Sequence, residues 1–205
     1  MSDVAEAYLR DNAVAALQLG SGLHLLPGWL NSDYPAAPED GVALDATAPF
    51  PLPDAAFDYI LAEHMIEHLP YPGALAMLGE CLRVLKPGGV LRVSTPDIGF
   101  LVRLLREDLS PLERDYIAWA ADVIEGGEPV TALGVVNNFV RAWGHRFIFD
   151  KPTLAGAIAG AGFVDIVEAR VGVSAHAALD GIDHDGRMPR RFLELETMVI
   201  EAKRP

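Results

Sequence analysis

The stretch from Phe57 to Pro96, FDYILAEHMIEHLPYPGALAMLGECLRVLKPGGVLRVSTP, constrains the fold more than any other part of the chain. Its opening FDYILAE is nearly continuous in apolar character, the pattern of a strand covered on both faces. Pro72 suits a first helical turn, and leucines at 75, 78, 82 and 85 then repeat at helical spacing. Lys86, Pro87, Gly88 and Gly89 stop that helix, and VLRVSTP (90–96) resumes as a strand. Strand, helix and strand in this order form a parallel crossover, which requires a sheet with helices packed on its faces.

The flanking sequence extends this pattern. AVAALQLGSG (13–22) reads as a buried strand ending in a glycine turn, WLNSDY (29–34) as a second strand and GVALDAT (41–47) as a third. Residues 98 to about 143 carry only helical patterns, broken near Gly126 and Gly127. That is too long for a simple connection and reads as a helical insertion over the carboxyl edge of the sheet, where open α/β sheets bind ligands. TLAGAIAGAGF (153–163) follows as a helix, VDIVEARV (164–171) as a sixth strand and ELETMVIEAKR (194–204) as a seventh, with a loop from Gly172 to Arg191. Proline and glycine punctuate apolar segments throughout, so residues 1–205 read as one domain.

A formal net charge of −13 disfavours nucleic acid, whose binding depends on Lys and Arg displacing counterions. The densest basic cluster, Arg187, Arg190 and Arg191, sits beside acids. No apolar run approaches bilayer length, and MSDVAEAYLRDN lacks a signal-peptide layout, so the expectation is a cytoplasmic protein without membrane contact. Cys81 is the sole cysteine; it allows no internal disulfide, and LGECLRVL reads as a buried helix face.

Two motifs compete for the chemistry. HMIEH (64–68) fits H-x-x-E-H, the layout of an inverted zinc-peptidase helix, but that reading needs one uninterrupted helical turn and a third ligand. Strand-like residues precede it and Pro70 and Pro72 follow, so no metal ligand is assigned. In LQLGSGLHL, Gly20 and Gly22 end the first strand, where glycine permits a tight turn and close approach of a ligand. A dinucleotide fingerprint would place a third glycine at the position of Leu25, which disfavours nicotinamide chemistry. Asp33 follows the second strand, where a carboxylate can accept ribose hydroxyls, and Asp45 follows the third, near an adenine position.

These residues resemble the class I S-adenosylmethionine-dependent methyltransferases. The likeness runs through LQLGSG, NSD, LDATAPFPLPDAAFDYI, EHL and LRVLKPGGVLRVSTPD, and most resembles a small bacterial branch of the methyltransferase type 11 kind, with WGHRFIFD and AGF later in the chain. The resemblance implies a Rossmann-like α/β fold with a seven-stranded, mostly parallel sheet whose last strand is antiparallel. It implies S-adenosyl-L-methionine as cofactor, bound by Gly20, Ser21, Gly22, His24, Asp33, Asp45, Ala46 and Glu63. One departure stands out: only six residues separate Gly22 from Trp29, too few for the usual crossover helix. His24 stands where the cofactor loop usually has its third glycine.

The expected reaction is methyl transfer to a small molecule or saccharide, at oxygen. An acceptor hydroxyl needs a base, and histidine titrates near neutrality. His64, one step past the fourth strand, and His145, in NNFVRAWGHRF, are the candidates, with Glu67 and His68 of EHL as structural residues. Asn137, Asn138, Arg141 and Trp143 are candidates for the acceptor pocket, with Arg146 suited to an anionic acceptor and His176 and His184 in a loop that can fold over the same edge. A cofactor-binding subunit without turnover is the competing reading, a zinc hydrolase the remote one, and a homodimer is left open.

Overall fold

The computed structural model describes residues 1–120, 123, 130–183, 186 and 188–205; Gly126, Gly127, His184 and Arg187 lie outside them. Seven strands form one sheet: β1 (Ala16–Leu19), β2 (Leu30–Asp33), β3 (Val42–Ala43), β4 (Phe57–Glu63), β5 (Leu85–Pro96), β6 (Val164–Ala169) and β7 (Thr197–Lys203). Their spatial order is β3-β2-β1-β4-β5-β7-β6. Strands β1 to β5 pair in parallel, while β7 runs antiparallel to both β5 and β6. This is the expected Rossmann-like arrangement. The carboxyl ends of β1, β2 and β4 therefore open on one edge.

Helices α1 (Asp3–Asp11), α2 (Tyr71–Val84) and α6 (Lys151–Gly160) accompany the sheet, and α3 (Ile98–Arg103), α4 (Pro111–Ala120), α5 (Ala132–Arg141) and α7 (Arg190–Glu196) make up a separate helical group. Side-chain caps begin several of them, as Thr131 does by accepting the Gly134 amide and Asp150 by accepting that of Thr153. The sheet core joins Leu17, Ile60 and Val93 to Met77, Cys81 and Ile158. A second core holds the helical group together through Phe100, Tyr116, Phe139 and Phe192. Among the described residues no helix is long and apolar enough to cross a membrane.

The missing first crossover helix is real. Residues 20–29 connect β1 to β2 without one, yet Leu17 pairs with Leu30 in parallel register. Helix α1 contributes to the same core, burying Ala5. The Tyr8 hydroxyl accepts the Ala16 amide at 2.9 Å and lies 3.0 Å from the carbonyl oxygens of Ala16 and Gly28, fixing both ends of the short connection.

Several boundaries differ from the sequence reading. Leu75 is 40% exposed, because the buried face of α2 runs through Ala74, Met77, Leu78, Cys81 and Val84 and leaves Leu75 at its margin. The helix stop belongs to β5: Leu85 pairs with Phe57, and Gly88 and Gly89 exchange backbone hydrogen bonds with Arg204. The third strand shrinks to Val42–Ala43. The seventh begins at Thr197 rather than 194, since Phe192, Leu193 and Glu196 are buried at helical spacing in α7, which also shortens the expected loop. Among the described residues of that loop, His176 packs on Tyr59 and Asp183 binds buried Arg92 of β5, while Met188 reaches the cavity on the helical side.

Candidate active site

A cleft of about 790 Å³ opens where β1, β2 and β4 end, and all eight residues expected to face a cofactor line it: Gly20, Ser21, Gly22, His24, Asp33, Asp45, Ala46 and Glu63. The two glycines serve different needs. Gly20 (φ +64°) has no room for a side chain, since a Cβ there would sit 2.3 Å from Met65 Cγ. Gly22 (φ +53°) adopts the same left-handed backbone, but its Cβ would meet nothing within 4 Å. The loop is tied to the next strand, because the Gly22 amide donates to Asp33 Oδ2 at 3.1 Å, and the Tyr34 amide donates to Oδ1 at 2.8 Å. Gln18 Nε2 donates to the His24 carbonyl at 3.0 Å.

Asp45 turns one oxygen toward its own chain: Oδ1 accepts from Thr47 Oγ1 at 2.7 Å and from the Thr47 amide at 2.8 Å. Those bonds, the hydroxyl first, hold its carboxyl below the ordinary value. Ser21 Oγ is buried with no hydrogen-bond partner among the described residues. An unpartnered hydroxyl, open space beside Gly22 and two half-exposed carboxylates fit a polar ligand such as a nucleoside joined to an amino acid.

A smaller cavity of about 310 Å³ lies on the helical side, lined by Tyr116, Trp119, Phe139 and Trp143 together with Asn138, Glu67, Glu196 and His145. His64 and His68 line both cavities and so mark their junction. His64 has φ +46°, with Nε2 3.1 Å from Thr197 Oγ1 and Nδ1 3.4 Å from Glu67 Oε1. Glu67 is 1% exposed; Thr95 Oγ1 donates to its Oε2 at 2.9 Å, and its backbone carbonyl accepts the amides of Arg146 and Phe147. Burial pushes the Glu67 carboxyl upward, but the proximity of His64 outweighs it and the net shift is below the ordinary range.

His145 Nδ1 lies 2.6 Å from the Phe139 carbonyl oxygen, which can only accept. The proton therefore belongs on Nδ1, leaving the Nε2 lone pair for another partner. Burial lowers the His145 pKa from its ordinary 6.5. The His68 ring meets it edge to face at 4.9 Å. Tyr116 donates to Glu196, and burial with that carboxylate beside it raises the phenol, so it stays protonated.

Of the acceptor-side expectations, Asn138, Trp143, His145 and His64 line the cavity. Asn137 and Arg141 do not: Asn137 turns its amide back to the Leu133 carbonyl at 2.9 Å, and Arg141 is exposed near the end of α5. Arg146 is exposed as well. Adjacent residues on a helix point about 100° apart, so NN in sequence puts only one asparagine on the inner face. Sequence reasoning missed Tyr116, Trp119 and Glu196, which lie on helices without a motif, and gave His68 no place in the site. The zinc-peptidase layout is absent, because a single 3₁₀ turn covers Ile66–His68 and left-handed His64 precedes it.

Comparison with known proteins agrees with this geometry. Residues 17–93 match the methyltransferase domain family. A 50-residue stretch is 48% identical to a protein of Mycolicibacterium smegmatis named "Probable S-adenosylmethionine-dependent methyltransferase"; it spans 24% of this chain and 19% of that relative. An S-adenosylmethionine-dependent methyltransferase of Archaeoglobus fulgidus superposes with a TM-score of 0.54 at 16% identity, over 98% of this chain and 93% of the other. One from Thermotoga maritima does so with a TM-score of 0.53 at 20% identity, over 98% and 89%. The methyltransferase domain family is thus matched over residues 17–93, and the fold of the chain as a whole is that of the solved methyltransferases it superposes on.

Proposed function

We propose that the chain transfers the methyl group of S-adenosylmethionine to a hydroxyl oxygen of a small acceptor, a single sugar ring included. The observation that carries the reading is the pair of cavities meeting at His64 and His68. In this reading Gly20, Ser21, Gly22 and His24 hold the methionine end, Asp33 the ribose hydroxyls, Asp45 and Ala46 the adenine, and Glu63 the rim beside the methyl group. The helical segment of residues 98–143 belongs to the same domain and forms the acceptor side. Its aromatic walls accept a flat, largely apolar body, and buried Asn138 supplies an amide to orient it.

When bound, the cofactor supplies a methyl group already activated by its sulfonium. The protein's share is alignment and proton removal. Holding the acceptor oxygen in line with the methyl group supplies several kcal/mol, within the roughly 7–11 kcal/mol available from orientation. His145 Nε2, with its lone pair free of Phe139, takes the hydroxyl proton; His64 is the alternative base, though both of its ring nitrogens already have neighbours.

The test is calorimetry with S-adenosylhomocysteine, followed by labelled methyl transfer to a panel of small hydroxyl compounds. Asp33→Ala is expected to weaken binding by about 1–3 kcal/mol, the cost of ribose hydroxyls left unpaired. Unchanged affinity would sink the cofactor-site assignment. Tight binding with no acceptor methylated in the panel favours a cofactor-binding subunit without turnover.

A further inference from the structure

We propose that Glu67, His68 and His145 form a binding site for one divalent transition-metal ion, zinc being the probe of choice, at the junction of the two cavities. One ligand atom of each residue lies within 4.8 Å of those of the other two. Tetrahedral zinc with bonds of about 2.0–2.1 Å needs ligand atoms about 3.4 Å apart, so side-chain adjustments of no more than about 1.5 Å close the set. Two imidazoles and a carboxylate suit zinc or ferrous iron, not magnesium or calcium, which prefer all-oxygen sites.

Two further features show a site prepared for a cation. The His145 ring is fixed through Nδ1 to a backbone carbonyl, the outer contact that orients metal-bound histidines and frees Nε2 to coordinate. Glu67 is likewise oriented, with Oε2 held by Thr95, while Oε1 is buried without a hydrogen bond among the described residues. A carboxylate buried this completely is costly unless paired, and its ion-pair contact among the described residues is His64 at 3.4 Å. A divalent ion would satisfy it. The ligands come from the 3₁₀ turn after β4 and from the segment after α5, so neither the HMIEH motif nor any contiguous stretch displays the set.

Three protein ligands leave coordination positions open toward the smaller cavity. The role of the ion rests on the proposed function. An acceptor hydroxyl bound there loses its proton to solvent water more readily, and the oxygen pair then forms the C–O bond while the C–S pair stays on sulfur. In the metal-loaded protein this replaces proton transfer to His145, whose Nε2 is occupied.

The experiment strips the full chain with chelator and titrates it with zinc chloride by calorimetry, with metal content measured after desalting. One zinc per chain with a Kd below about 1 μM is expected. His68→Ala and His145→Ala should each weaken it at least about tenfold, and His176→Ala should not. Zinc should also raise the melting temperature of the parent chain and of His176→Ala, but not of His68→Ala or His145→Ala, which separates a lost ligand from a folding defect. No submicromolar binding, or equal binding by all the variants, overturns the site. S-adenosylhomocysteine affinity on the same samples separates the two claims: cofactor binding without zinc refutes this site alone, and zinc binding without cofactor refutes the methyltransferase reading alone.

Discussion

The two cavities are built in contrasting ways. The cofactor cleft is made by strand ends and the turns that follow them, so its shape is set by backbone: two left-handed glycines, and an aspartate that caps the loop before it contacts any ligand. The smaller cavity is made by side chains, among them Tyr116 of α4 and Phe139 of α5, whose rings are also part of the core of the helical group. One region is a fixed socket on a parallel sheet. The other is a core with a space left in it, and the same rings both hold the core and line the space.

The contrast predicts that damage on one side stays there, most visibly for Phe139→Ala. Truncating this buried ring should cost about 3–5 kcal/mol of stability and remove most turnover, because the ring packs against both Trp143 and His145. S-adenosylhomocysteine affinity, measured where the variant is still folded, should move less than about twofold. A parallel loss of cofactor binding would show that the two regions are one cooperative unit.

Within the cleft, Gly20→Ala should be the worse of two glycine changes, at about 2–3 kcal/mol, since it adds a clash with Met65 to a left-handed backbone. Gly22→Ala should cost only about 1–2 kcal/mol, through its backbone alone. Equal melting temperatures would remove Met65 as the reason for glycine at 20. Cofactor affinity should fall in both variants.

The smallest effect expected is one of pH. Burial lowers the His145 pKa, so in metal-free protein the unfolded chain binds the extra proton first, and stability should decline as pH falls below 6.5. Glu67 is shifted in the same direction, so its contribution too is lost on acidification, but only below the ordinary carboxyl range as pH drops toward its lower folded value. Urea unfolding at pH 7 and pH 5.5 should show His145→Asn losing less stability than the parent. An identical loss would place the titrating group elsewhere.

The same contrast explains what was legible in the sequence. The glycines and acids expected to face a cofactor line one cleft, because they stand at strand ends, in places that the parallel topology dictates, and the resemblance supplied the other residues that line it. Of the residues expected on the acceptor side, Asn138, Trp143 and His145 line the smaller cavity, whereas Asn137 and Arg141 do not. Tyr116 and Trp119 lie on α4, and a helical period tells which face is buried, not whether a cavity lies beneath it. His68 and His145 are far apart in sequence and meet only because the Glu67 carbonyl accepts two amides from the segment after α5. The start of β7 was misjudged for a related reason: ELET alternates well enough to pass for a strand end.

The short link from β1 to β2 has an electrostatic consequence. A crossover helix following the glycine turn would aim the positive end of its dipole at the ligand, where it stabilises anions. Here that source of positive potential is gone, and the carboxylates of Asp33, Asp45 and Glu63 face the cleft. S-adenosylmethionine carries a net positive charge, whereas S-adenosylhomocysteine carries none. A socket of this sign should favour the charged donor over the neutral product, a preference that calorimetry with both ligands would read.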